Sequence, residues 1–179
     1  MQRRDFLKVG VLGGVAFAVG SSWPRLLGAR AAGAGPYGAL QAADANGLQL
    51  PAGFTSRVIA TTGATVPGTS YTWHAAPDGG ACFPTTDGGW IYVSNSEVDA
   101  GGGGAAMVRF NASGQVADAR RILSGTSRNC AGGPTPWGTW LSCEETAAGR
   151  VFEADPLGLA PAQASPALGR FNLEAAAVD

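Results

Sequence analysis

The residues of this chain best suited to chemistry are Cys143, Glu144 and Glu145, which close the run TPWGTWLSCEE. A thiol beside two carboxylates offers soft and hard donor atoms within three positions. Side chains on a strand alternate between faces, so Cys143 and Glu145 share one face and Glu144 takes the other. At least one of them therefore faces inward, where a carboxylate or thiolate needs a partner and a cation is the strongest one. A further acid, Glu97, ends the run WIYVSNSE. Sliding the sequence by 47 residues lays that run on WGTWLSCE and Glu97 on Glu144. Acids that recur at strand ends and converge repel one another unless cations sit among them. Hard cations such as Ca²⁺ take several such oxygens, and a Cys143 thiolate on the same side would suit iron or zinc.

Short β-prone runs must position these residues. SRVIAT, GWIYVSNSE, AAMVRFNASG, QVADARRIL, GTWLSCEE and GRVFEADPLG are separated by Gly, Asp, Asn, Ser and Pro, and no long amphipathic helix interrupts them. After the two acids the copies continue, MVRFNASG matching VFEADPLG at an offset of 44, because the first copy carries the extra GGGG at Gly101–Gly104. A period in the mid-forties with short strands and Asn/Asp-to-Gly turns predicts an all-β fold of β-propeller blades. A weaker third copy is LEAAAVD, resembling WHAAPDG at an offset of 100. The length after the leader suits about three blades, fewer than closed propellers usually have, so the sequence reads as the N-terminal part of a longer protein.

The leader is MQRRDFLKVGVLGGVAFAVG. Arg3 and Arg4 before a short, Gly-diluted apolar core, with Ala29-Arg30-Ala31 behind it, predict a twin-arginine (Tat) signal over residues 1–31. The core is too short to span roughly 30 Å of hydrocarbon, so no stable membrane span is expected after cleavage. Periplasmic or extracellular localisation and an encounter with the Tat translocon follow. This route carries proteins already folded, which favours a cofactor loaded in the cytoplasm. Residues 32–52 read as an extended lead-in arm and 53–179 as the blades. Without the leader, seven basic residues face twelve acidic ones, which leaves no electrostatic footprint for nucleic acid.

The remaining candidates are weaker. Of the three cysteines, Cys82 and Cys130 are the pair best placed to bridge, leaving Cys143 free or metal-bound; the alternative is that all three are small buried apolar residues. His74, the single histidine, lacks a partner to orient it as a base and reads as structural or supporting. No GxSxG elbow is present, and the GGGG run reads as a flexible loop without a helix behind it.

Together the twin-arginine leader, GPYGALQAADANGLQLPAGF, WHAAPDGGACF, WIYVSNSE, NCAGGPTPWGTWLSCEE and GRFNLEAAAVD resemble the N-terminal portion of the PhoX-type alkaline phosphatases. The resemblance implies a six-bladed propeller and a secreted phosphomonoesterase with iron (Fe³⁺) and calcium (Ca²⁺) in its channel. It implies Cys143 as thiolate ligand to iron, Glu174 as a carboxylate ligand to iron or calcium, Glu97 as a calcium ligand, and Glu144 or Glu145 as a further metal ligand. Where the family's block has His before the acid, this chain has Leu173. On this reading the whole protein hydrolyses phosphate monoesters and the present chain alone is inactive, the catalytic residues being unassigned. Arg128 and Arg170 lie near the motif blocks without an assigned task. The alternatives are a calcium-dependent lactonase-like propeller and a non-enzymatic exported calcium-binding or interaction propeller.

Overall fold

The structure, a computed structural model, describes residues 36–179; the twin-arginine leader expected over residues 1–31 lies outside them. The chain divides into two compact units, 1–57 and 58–179. In the first, the expected extended arm is instead a closed loop. Leu40 bridges Pro51, Gln41 N donates to Leu50 O at 2.9 Å, and Asp44 Oδ1 accepts from the amides of Asn46 and Leu48. The Asp44 carboxylate also accepts from the Ser56 hydroxyl. These bonds hold its pKa below the usual carboxylate value, the Ser56 hydroxyl first. An Asp that satisfies local amides makes a turn of its own, which is why DANG folds back.

The second unit is all-β. Its strands are β1 (Pro77–Pro84), β2 (Trp90–Ser96), β3 (Gly103–Phe110), β4 (Val116–Thr126), β5 (Asn129–Pro134), β6 (Trp140–Glu144), β7 (Val151–Ala154) and β8 (Gln163–Ala164). They form two four-stranded antiparallel sheets, β1-β2-β3-β4 and β5-β6-β7-β8, in which each strand lies beside its neighbour in sequence. Two sheets are therefore formed among the described residues, against the three repeats expected. The third repeat, residues 173–179, forms no strand; Glu174 O accepts from Ala131 N at 3.0 Å. SRVIAT, expected to be the first strand, forms none either. Its Ile59 and Ala60 pack on the face of the first sheet.

Alternation sorts the side chains into layers. Ala105 and Met107 of β3 and Trp140, Phe152 and Ala154 of the second sheet share one core, so the two sheets pack face to face. The intervening residues Ala106, Val108 and Phe110 turn the other way, onto Val66 and Trp73. On the far side of the second sheet Leu141, Cys143 and Val151 meet Leu173. Being covered on both faces explains why β3 reads GGAAMVRF, apolar at every position but Arg109, rather than alternating with polar residues. Only the first half of the GGGG run is a turn. Gly104 belongs to β3 at φ +144°, and a Cβ there would lie 2.0 Å from Leu123 O. Among the described residues no helix is long and apolar enough to cross a membrane.

Candidate functional site

The two acidic strand ends are brought together by the link between the sheets. β2 leaves the first sheet through Glu97, β6 leaves the second through Glu145, and Ser127 and Arg128 join β4 to β5. One nitrogen of Arg128, Nη2, donates to Glu97 Oε1 at 3.2 Å and to Glu145 Oε2 at 3.0 Å. Those bonds, Glu97's first, with the charges behind them, hold the guanidinium more firmly protonated than usual. The Arg128 main chain takes part too: its N–H donates to Val98 O at 2.9 Å and its carbonyl accepts from Glu145 N at 2.8 Å.

Register identifies the true counterparts. Gly80 faces Ser94 and Gly132 faces Ser142; beyond a bulge in each hairpin, Pro77 faces Ser96 and Asn129 faces Glu144. Ser96 therefore corresponds to Glu144, and Glu97 to Glu145, one residue further along than the sequence alignment puts it. Main-chain bonds agree, since Glu97 N donates to Ala76 O as Glu145 N does to Arg128 O, each at 2.8 Å. Ala76 and Arg128 share left-handed backbone, φ 45° and 50°.

Glu144 faces away from this pair. It is 4 % exposed, its Oε1 accepting from Ser127 N at 2.9 Å and its Oε2 from Arg150 N and Nε at 3.1 and 3.0 Å. The Arg150 guanidinium also lies over the Phe152 ring. A buried carboxylate bonded to two amides and a guanidinium is a structural anion, satisfied where it stands.

All three cysteines are free, so the Cys82–Cys130 bridge is not formed; Cys82 is exposed and Cys130 half-buried, their side chains belonging to different sheets. Cys143 is fully buried among Leu141, Val151 and Leu173, and burial pushes its thiol up to about 11. It is Cys130 that lies among acids. Burial pushes its thiol up to about 11, reinforced by a hydrogen bond to Asp78 and by the charges of Asp78, Glu97 and Glu145. Glu174 is exposed, with its main-chain carbonyl engaged by β5. His74 is buried against Trp73; its Nε2 lies 2.9 Å from Asn95 O and its Nδ1 has no partner. Burial lowers its pKa to about 4, so it is a neutral donor to that carbonyl at pH 7.

Between the sheets lies a polar residue whose role sequence reading missed. Asn95, 0 % exposed, donates from Nδ2 to the carbonyls of Cys130 and Ala131 at 3.1 and 2.9 Å. Its Oδ1 accepts from Trp140 Nε1 at 2.9 Å and from Ser142 Oγ at 2.8 Å. The signal was available in WIYVSNSE: an amide in a strand buried on both faces must find a full set of partners.

The expected ligands do not converge as arranged. Among the described residues no group of three or more His, Cys, Asp and Glu side chains is set to hold a metal ion. Glu97 and Glu145 are closed by Arg128, Glu144 by Arg150, and the Cys143 sulfur faces carbon. Iron and calcium thus do not fit these five residues in this arrangement.

An all-β unit of two stacked meander sheets, with paired acids at their ends, is the class of protein that fold and site define. Residues 92–159 match the family described as alkaline phosphatase PhoX. That stretch, from β2 to the loop after β7, is similar to the PhoX family, in line with the resemblance of the motif blocks. Glu97, Cys143, Glu144 and Glu145 lie within it, and Glu174 lies beyond it. No curated protein and no solved structure gives a match.

Proposed function

We propose that this protein is a phosphoric monoester hydrolase of the alkaline phosphatase type, exported by the twin-arginine route and acting outside the cytoplasmic membrane. The observation that carries the reading is the PhoX match over residues 92–159, which takes in Arg128 and the two glutamates it joins. The two sheets are, on this reading, successive blades of a β-propeller. Four-stranded meanders stacked face to face are how blades pack, and the ends of equivalent strands then line one channel. Glu97 and Glu145 hold equivalent positions and would face that channel together. Iron and calcium enter the reading through the resemblance alone. Such metals would supply charge stabilisation for the phosphoryl oxygens.

Substrate choice tests this. The protein expressed from its whole reading frame should release inorganic phosphate from an aryl phosphate monoester and leave a simple lactone intact. Lactone opening without phosphate release would replace this reading with that of a lactonase-like propeller.

A further inference from the structure

We propose that Arg150, Ser165 and Arg170 form a binding site for a small tetrahedral oxyanion, phosphate or sulfate, separate from Arg128 and its two glutamates. The proposal does not rest on the phosphatase reading, and it gives Arg170 a task.

The site is made by a loop pinned at both ends beside Arg150. β8 pairs with β7, Phe152 opposite Ala164, and Ser165 N donates to Val151 O at 2.8 Å. A single 3₁₀ turn, Pro166–Leu168, follows and is closed by Gly169 N donating to Pro166 O at 3.1 Å. Gly169 takes φ 79°, a left-handed backbone that other side chains resist, and there the chain reverses. It returns to the residues just before Arg150: Arg170 Nε donates to Ala148 O at 3.2 Å and Phe171 N to Gly149 O at 3.3 Å. Between the two arginines lies a cavity of about 210 Å³, walled by Arg150, Ala164, Ser165, Pro166, Gly169 and Arg170. That is several times the roughly 30 Å³ share of one water and below the roughly 300–1,000 Å³ of sites for drug-sized ligands, which sets the size of the occupant. Glu144, the partner of Arg150, faces away from Arg128, so the cavity stands apart from the Glu97 and Glu145 pair.

The donors on this wall are unspent. Arg150 gives Nε and Nη2 to Glu144 and lies over the Phe152 ring, which fixes its plane; its Nη1 bonds nothing among the described residues. Arg170 uses only Nε, and no carboxylate pairs with it among the described residues. Ser165 heads the 3₁₀ turn without capping it, so its hydroxyl is spare as well. No acid lines the cavity, and Glu144 offsets one of the two positive charges, leaving a field that favours an anion. Guanidinium groups present planar forks of N–H donors that match phosphate-like oxygens. Donors from three side chains suit an anion whose oxygens point in several directions better than a flat carboxylate. Arg170 is exposed and Arg150 half-exposed, so the anion has a way in.

Calorimetric titration with inorganic phosphate, and separately with sulfate, tests the proposal on the full chain in the presence of a chelator. The chains compared are wild type, Arg170→Gln, Ser165→Ala and Arg120→Gln, the last removing the same charge from the first sheet, where Arg120 is paired with Asp118. Wild type should bind both anions with a Kd below about 1 mM. Arg170→Gln should weaken binding at least about tenfold, Ser165→Ala by about two- to tenfold, and Arg120→Gln by less than about twofold. A weaker wild-type Kd, equal weakening by Arg170→Gln and Arg120→Gln, or displacement of phosphate by chloride at matched ionic strength overturns the proposal. If Arg170→Gln shows no cooperative unfolding, Ser165→Ala decides: an affinity equal to wild type overturns the site, and a loss in the stated range upholds it.

Discussion

Asn95 and Trp140 join the two sheets through a hydrogen bond from the indole Nε1 to the amide Oδ1 at 2.9 Å, with both side chains almost wholly excluded from solvent. The amide is saturated: two donors come to its oxygen and two carbonyls of β5 take its protons. Removing it leaves Trp140 Nε1 and the Cys130 and Ala131 carbonyls short of a partner in a dry interface. Asn95→Ala should therefore cost on the order of 3–5 kcal/mol in urea unfolding, where each orphaned group costs about 1–3. Asn95→Leu should do no better despite similar size, because the orphaned groups are the same. A loss under about 1 kcal/mol in both would show that the interface rests on its apolar contacts alone.

His74 makes stability depend on pH. Its pKa is about 4 when folded against 6.5 for a free imidazole, chiefly through burial. The unfolded chain thus binds the extra proton first, and stability is fully present above pH 6.5 and lost as pH falls towards 4. A shift of this size corresponds to roughly 3 kcal/mol. The difference in unfolding free energy between wild type and His74→Gln should move against the wild type by about that much between pH 7 and pH 4. A difference that stayed constant would mean that His74 is solvated in the folded state.

The three thiols should separate by reactivity. Cys82 is exposed, whereas Cys130 and Cys143 are held protonated near neutral pH, Cys143 also being sealed in carbon. A disulfide reagent at pH 8 should label Cys82 within the mixing period, Cys130 slowly, and Cys143 only as the chain unfolds. Prompt labelling of Cys143 in the folded chain would contradict its place beside Leu141, Val151 and Leu173.

The two adjacent acids should differ in weight. Glu144→Gln leaves Arg150 and the Ser127 amide facing a neutral, partly donating group in a buried spot, and should cost roughly 1–3 kcal/mol in urea unfolding. Glu145→Gln, at a half-exposed ion pair, should cost much less. The reverse order would mean that the link between the sheets, rather than the buried anion, holds this end of β6.

Much of the fold can be read in the runs themselves. GWIYVSNSE, AAMVRFNASG, QVADARRIL, GTWLSCEE and GRVFEADPLG all contain strands, because their turns are written in Asp87-Gly88, Asn111 to Gly114 and Asp155 to Gly158, which bend the chain locally. SRVIAT misleads because β-propensity says nothing about whether a neighbouring strand is there to pair with. The repeat was visible and its register was not. Anchoring on Trp90 and Trp137 ignores that Trp90 stands opposite Pro84 as Trp140 stands opposite Pro134, while the first hairpin is longer before its bulge. That is why Glu97 was set against Glu144 instead of Glu145. Arg128 meets Glu97 and Glu145, and Cys130 meets Asp78, across the junction of two sheets, meetings that depend on stacking and leave no spacing to read. The adjacency of Cys143 to two acids in sequence was equally uninformative, since alternation turns its sulfur towards Leu173.

The phosphatase account is tested most directly by measuring 4-nitrophenyl phosphate hydrolysis at moderately alkaline pH with the protein expressed from its whole reading frame, before and after chelation. The account predicts turnover that chelation abolishes and that added iron and calcium together restore. Absence of turnover in the metal-replete, folded protein, or turnover indifferent to chelation, would contradict it.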